Sequence, residues 1–97
     1  MILHLVLLRF RSDADPALIQ QAGDALLAMQ SAIPEIRDIT WGPNLGPSAE
    51  EYSHVLTVTM DDMPAVRRYL KHPAHESTVA EHVAAIREAR LAVDVEI

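Results

Sequence analysis

The first apolar segment of the chain is hydrophobic on both faces of any strand it forms, and the last apolar segment is hydrophobic on one face. Residues 2–10 read ILHLVLLRF, so Leu3, Leu5 and Leu7 alternate with a second set that begins at His4. Residues 91–97 read LAVDVEI and again carry large apolar side chains on one face. In a small domain the helices cover only one face of the sheet, so the other face stays uncovered. Burying three or four such side chains stabilises the folded protein by about 5–10 kcal/mol. The pattern therefore predicts a homodimer packed sheet to sheet.

The order of the remaining segments predicts the fold. Asp15 and Pro16 begin a helix that is expected to end near Ala32. Two strands are predicted within residues 36–42 and 52–60, separated by a turn-rich loop. A short helix follows DDMP, a longer one runs from the HP of residues 72–73 to about Arg90, and residues 91–97 form the last strand. The order β-α-β-β-α-α-β over residues 1–97 predicts one α+β domain, a ferredoxin-like split βαβ sandwich with a four-stranded antiparallel sheet.

Composition excludes several classes of function. The chain has 8 basic and 14 acidic residues and a net charge of −6, so it lacks the basic surface that nucleic acid requires as a partner. It contains no cysteine, which suits a reducing cytoplasm and excludes thiolate chemistry. Its apolar start has no basic residues before it and is too short to span a membrane, so neither a secretory signal nor a membrane anchor is expected.

Strand parity and helix periodicity bring several histidines toward one region. His4 shares a face with Phe10, and His54 shares a face with Met60. If the apolar face of the last strand enters a dimer, Asp94 points the other way, toward the helices. His72 fits the N-cap of the helix that starts at Pro73, and His75 begins its buried stripe. Burial lowers the pKa of a histidine and a nearby carboxylate such as Asp94 raises it, so the two effects oppose each other. The neutral imidazole is the form that acts as a general base.

A metal site is disfavoured by the spacing of the histidines. The segment HESTVAEH separates His75 from His82 by seven residues, or roughly 10.5 Å along a helix axis, which is too far for one zinc ion. The i, i+4 spacing of HExxH is absent. No metal site is therefore expected.

Five segments are distinctive when taken together, and they are HLVLLRF, WGPN, YSHVLTVTM, YLKHPAH and AVDVE. They resemble the stress-responsive dimeric α/β-barrel (Dabb) domain family, and the similarity covers essentially the whole chain. The resemblance implies a ferredoxin-like protomer paired into a dimeric barrel. Most members have no assigned reaction. One enzymatic branch, a plant polyketide cyclase, closes a linear polyketide by aldol condensation without cofactor or metal.

Carried over from that branch, the resemblance implies a role for each matching residue. His75 would be the general base, Asp94 its orienting partner, and Tyr69 the side chain that binds and polarises the substrate. His4 and His54 would line the substrate pocket. Trp41 and Asn44 are interpreted structurally, as a ring packed at the end of the sheet and as a turn residue.

Three hypotheses remain open from the sequence. The first is a homodimer with a small-molecule pocket in each protomer and no assigned physiological role. The second is a cofactor-free cyclase or lyase in which His75 removes a proton next to a carbonyl, and the third is a non-catalytic structural or stress-assembly module. A cavity beneath the helices and a bond from His75 to Asp94 would favour the first two, whereas solid packing would favour the third.

Overall fold

The computed structural model describes residues 1–97 and contains one four-stranded antiparallel sheet with its helices on one face. The elements in chain order are β1 (Ile2–Phe10), α1 (Pro16–Ala32), β2 (Asp38–Pro43), β3 (His54–Met60), α2 (Met63–Lys71), α3 (Pro73–Thr78), a π-helical segment (Val79–Val83) and β4 (Arg87–Glu96). The strands lie in the order β2-β3-β1-β4. The predicted ferredoxin-like α+β fold is confirmed.

The last third of the chain differs from the sequence-based prediction. The helix expected to reach Arg90 leaves α-helical geometry after Thr78 and passes through the π-helical segment. β4 then begins at Arg87, four residues before the predicted start at Leu91. The reason lies in β1, whose end at Phe10 pairs with Arg87 and so recruits residues of good helix propensity into the sheet.

Each long helix begins where an aspartate caps it. The Asp15 carboxylate accepts a hydrogen bond from the Ala17 backbone N–H at 2.9 Å, and Asp62 accepts one from Ala65 at the same distance. A proline follows each cap within the first turn, where its missing N–H costs nothing. The caps fix α1 and α2 over the sheet.

The two faces of the sheet have different surroundings. On the helix-covered face the β1 residues Ile2, His4, Val6, Leu8 and Phe10 are all buried. We call the other face the open face. There β1 and β4 place Leu3 opposite Val95, Leu5 opposite Val93, and Leu7 opposite Leu91. The three β4 side chains are 45–51% exposed, so the protomer leaves an apolar surface uncovered.

The loop between β2 and β3 is held by Asn44. Its side-chain amide donates to the Ser48 hydroxyl at 3.0 Å and to the Tyr52 carbonyl at 2.9 Å, and its oxygen accepts from the Gly46 N–H. This agrees with the interpretation of Asn44 as a turn residue. Separately, none of the helices combines the length and the apolar character needed to cross a membrane.

Candidate functional site

The closest polar contact on the helix-covered face joins His4 of β1 to Asp94 of β4. The two residues are direct partners in the β1–β4 pairing, and Nδ1 of His4 lies 2.7 Å from a carboxylate oxygen of Asp94. The His4 side chain is 3% exposed and the Asp94 side chain 29% exposed. The carboxylate therefore fixes the orientation of a buried imidazole.

Tyr69 and His75 reach the same region from the helices. α2 ends at Lys71, and His72 caps α3 by accepting from the Ala74 N–H at 3.0 Å, as the sequence predicts. The turn between α2 and α3 folds the start of α3 back. The centre of the Tyr69 ring then lies 4.7 Å from the centre of the His75 ring and 5.7 Å from the centre of the His4 ring. Tyr69 is only 1% exposed. Together His4, Asp94, Tyr69 and His75 form what we call the inner histidine cluster.

Burial controls the protonation of the two helical members of this cluster. It lowers the pKa of His75 below the usual value of histidine, although the Leu70 carbonyl acts in the opposite direction. Nδ1 of His75 is buried and has no hydrogen-bond partner within the protein. Burial also raises the pKa of Tyr69, so its phenol stays protonated and can donate a hydrogen bond. A neutral imidazole thus lies beside a neutral hydroxyl donor.

His54 belongs to a separate aromatic group nearer the end of the sheet. Its ring stacks on Trp41 at 5.2 Å with an angle of 18° between the planes, and Phe10 meets both rings edge-on. Nδ1 of His54 lies 2.9 Å from the Ser53 hydroxyl. Burial lowers the pKa of His54, which favours the uncharged ring.

A cleft of about 560 Å³ opens between α1 and this aromatic group. We call it the α1 cleft, and its walls include Ile19, Asp24, Leu27, Trp41, Pro43 and His54. Its volume lies within the range of sites for small organic ligands, roughly 300–1,000 Å³. A smaller polar depression of about 340 Å³ lies between the β1–α1 turn and the start of β4.

The structure divides the predicted site into two parts. The sequence placed His4, His54, Tyr69 and His75 around one pocket, but only His54 lines the α1 cleft, and the other three line neither cavity. The predicted bond from Asp94 to His75 is also replaced, because Asp94 binds His4. Strand parity indicated that His4 and Asp94 could share one face of the sheet, but it cannot say which face this is or supply the register that makes them direct partners.

Two residues that shape the α1 cleft had no functional role in the sequence analysis. Trp41 was interpreted as packing alone, yet its ring forms a wall of the cleft. Gly23 of α1 makes that position possible, since a Cβ built there would lie 2.4 Å from the indole nitrogen of Trp41. An isolated glycine within an alanine- and leucine-rich helix is the signal that could have revealed this close approach.

The titratable side chains do not gather into a metal-binding group. No three His, Asp or Glu side chains lie close enough together to hold one ion. His75 and His82 fall on different parts of the helical region, with His75 in α3 and His82 in the π-helical segment.

The fold and these buried polar groups define a class, the small ferredoxin-like α+β proteins that carry histidines beneath their helices. Within that class, the chain belongs to the Dabb family, the Stress responsive A/B Barrel Domain, whose model matches residues 2–97.

Three relatives illustrate the range of proteins with this fold. Olivetolic acid cyclase of Cannabis sativa is 27% identical over 74 residues, which are 74% of this chain and 73% of the cyclase. A dimeric ferredoxin-like protein of unknown function from Thermobifida fusca is 29% identical with a TM-score of 0.84, covering 99% of this chain and 90% of that protein. Hydroxynitrile lyase from Passiflora edulis is 22% identical with a TM-score of 0.86, covering 99% of this chain and 95% of the lyase, and this likeness concerns the fold.

Proposed function

We propose that the protein is a homodimer, closed through the open face of its sheet, that binds a small apolar molecule in the α1 cleft of each protomer. The dimer is supported by the exposed apolar side chains of β4 and by the dimeric state of the Thermobifida fusca relative. The three cross-strand pairs on that face are apolar throughout, and an apolar patch of this kind marks a protein interface.

The observation that carries the ligand site is the wall formed by Trp41 and His54. Two stacked rings, with leucine, isoleucine and proline side chains opposite and beside them, provide flat apolar surface for a small ligand. The ring of His54 adds a nitrogen that can form one directed hydrogen bond. The α1 cleft thus combines much apolar area with few polar groups, as ligand sites do.

The single tryptophan of the chain provides a direct test. Titration of apolar small molecules is expected to change the Trp41 emission, and Leu27→Arg is expected to abolish that change because it places a charged chain in the cleft. Leu18→Arg is the matched control, since Leu18 is an exposed leucine of the same helix that does not line the cleft. Equal binding by the two variants would refute the site.

A second candidate is a cofactor-free cyclase or lyase that uses His75. It is supported by the neutral imidazole with an unpartnered Nδ1 beside the Tyr69 hydroxyl donor, and by the similarity to olivetolic acid cyclase. In this proposal His75 takes a proton from a carbon next to a carbonyl, and Tyr69 donates a hydrogen bond to the enolate oxygen. The enolate carbon attacks a second carbonyl of the same molecule, and protonated His75 returns its proton to the new alkoxide.

Access to His75 distinguishes this candidate from the first. Tyr69 is almost fully buried, so a substrate reaches the pair only if α3 moves away from the sheet. The test is turnover of a linear poly-β-ketone by the wild type, by His75→Gln and by His82→Gln, where His82 is an exposed histidine nearby. Loss of turnover in His75→Gln alone supports the proposal. Turnover by all three, or by none, rejects it.

A further inference from the structure

The polar groups of the α1 cleft point to the chemical class of its ligand. Asp24 is the one acidic residue of its lining, and no lysine or arginine lines it. Asp24 forms no ion pair, and its only hydrogen bond comes from the Gln20 amide at 3.2 Å. Asp24 is exposed and a carboxylate has roughly four acceptor positions, so most of them are open to solvent or to a ligand.

His54 adds a ring nitrogen to the same lining, and its role depends on the Ser53 hydroxyl. The Ser53 hydroxyl lies 3.5 Å from the Leu8 carbonyl, which can only accept, and 2.9 Å from Nδ1 of His54. If the hydroxyl hydrogen is directed to the carbonyl, Nδ1 carries the ring hydrogen and donates to the Ser53 oxygen. This arrangement leaves Nε2 as an acceptor.

Trp41 supplies the third feature of the lining. The face of an indole ring attracts a cation more strongly than the other aromatic side chains do. Its position is fixed by His54 on one side and by the close approach of Gly23 on another. The cleft thus brings together a carboxylate without an ion pair, an indole ring and the imidazole of His54, and no lysine or arginine lines it.

We infer that the α1 cleft selects an apolar molecule that carries a protonated amine and discriminates against carboxylates. An ammonium group brings a positive charge and hydrogen-bond donors only, which complements the Asp24 carboxylate and the indole ring of Trp41. A carboxylate would meet the Asp24 charge with no cation to offset it. The inference rests on the α1 cleft being the ligand site proposed above, and it specifies what that site prefers.

Three probes of similar size and different charge test this selectivity. They are 2-phenylethylamine, 3-phenylpropanol and 3-phenylpropionate, titrated against the full chain and followed by Trp41 emission and calorimetry. The amine is expected to bind about five- to tenfold more tightly than the carboxylate, which is the size of effect expected for a partly exposed charge contact. The preference should shrink as salt is added, because the site is open to solvent.

The variant Asp24→Asn is expected to remove most of the preference for the amine and to leave the alcohol unaffected. Glu96→Gln is the matched control, since it removes the same charge from β4, at the opposite edge of the sheet from β2. Equal binding of amine and carboxylate, or an unchanged preference in Asp24→Asn, overturns the inference but leaves the cleft as a ligand site if the alcohol binds. Failure of all three probes to bind counts against both proposals.

Discussion

Asp94 binds His4 across the β1–β4 pair, with 2.7 Å between the carboxylate oxygen and Nδ1, while Nδ1 of His75 has no partner. A carboxylate paired with imidazole is a means of orienting a base, and here the oriented ring is the one in the strand rather than the one in the helix. No hydrogen bond within the protein therefore holds Nδ1 of His75, whereas the His4 ring is held in place by Asp94. His4 and His75 thus differ in their hydrogen bonding, although the rings of both contact the ring of Tyr69.

Removing the Asp94 carboxylate should destabilise the fold. Asp94→Ala leaves a buried Nδ1–H of His4 without a partner, which costs about 1–3 kcal/mol. Asp94→Asn should cost less, because the amide oxygen still accepts that hydrogen bond. Urea denaturation measures both. Glu96 is the next acidic residue of β4, is exposed and forms no side-chain hydrogen bond, so Glu96→Ala should change the free energy of unfolding little. An equal loss in Asp94→Ala and Glu96→Ala would contradict this assignment.

The close approach of Gly23 and Trp41 gives a prediction that opposes helix propensity. Glycine to alanine within a helix ordinarily stabilises by up to about 1 kcal/mol. At Gly23 the new Cβ would lie 2.4 Å from the indole nitrogen, so the ring must shift. We expect Gly23→Ala to destabilise by about 1–3 kcal/mol and to alter the Trp41 emission.

Gly42→Ala is the control for this change. A Cβ at Gly42 meets nothing within 4 Å, so stability and emission should stay close to those of the wild type. A Gly23→Ala protein that is more stable than the wild type would mean that Trp41 does not pack on α1 in solution, and the α1 cleft would lose its wall.

Much of the fold could be predicted from residues that act locally. The aspartate caps and the prolines that follow them specify the starts of α1 and α2. The alternation in β1 predicted that one face carries His4 and the other the leucines. These features depend on the nearest few residues, and so they can be read without knowledge of the tertiary contacts.

The parts that could not be predicted depend on contacts between distant segments. Asp94 was assigned to His75 by resemblance, but the β1–β4 register pairs it with His4. The early start of β4 at Arg87 follows from pairing with Phe10, which outweighs the helix propensity of its residues. The α1 cleft arises from the packing of Trp41 on Gly23, which are 18 residues apart in the chain. Local patterns contain none of this information.

The dimer can be tested at one cross-strand pair of the open face. Val93 lies opposite Leu5 and is 47% exposed in the protomer. Val93→Lys places a charge at the centre of the proposed interface, where an unpaired charge is costly, so we expect a monomer by sedimentation. Leu45→Lys, in the β2–β3 loop and 92% exposed, should sediment like the wild type. A dimeric Val93→Lys protein, or a monomeric wild type, would exclude an interface on this face.

The burial of His75 predicts a pH dependence of stability. The pKa of His75 is lowered in the folded state, so below the unfolded value of about 6.5 the unfolded chain binds more protons than the folded chain. Stability should therefore fall as the pH decreases through this range, and His54 contributes in the same direction. Asp13 and Asp61, whose pKa values are lowered by arginine partners, lose their contribution only at more acidic pH.

His75→Gln isolates the contribution of that imidazole. Glutamine does not titrate, so the free energy of unfolding, measured in urea between about pH 5 and 7.5, should depend less steeply on pH than in the wild type. His82→Gln removes an exposed histidine of the neighbouring π-helical segment and should keep the wild-type slope. If His75→Gln retains the full slope, His75 takes up its proton as easily in the folded protein as in the unfolded chain. That result would contradict the lowered pKa of His75. It would not by itself exclude His75 as a base, because an imidazole of ordinary pKa is still largely neutral above about pH 7.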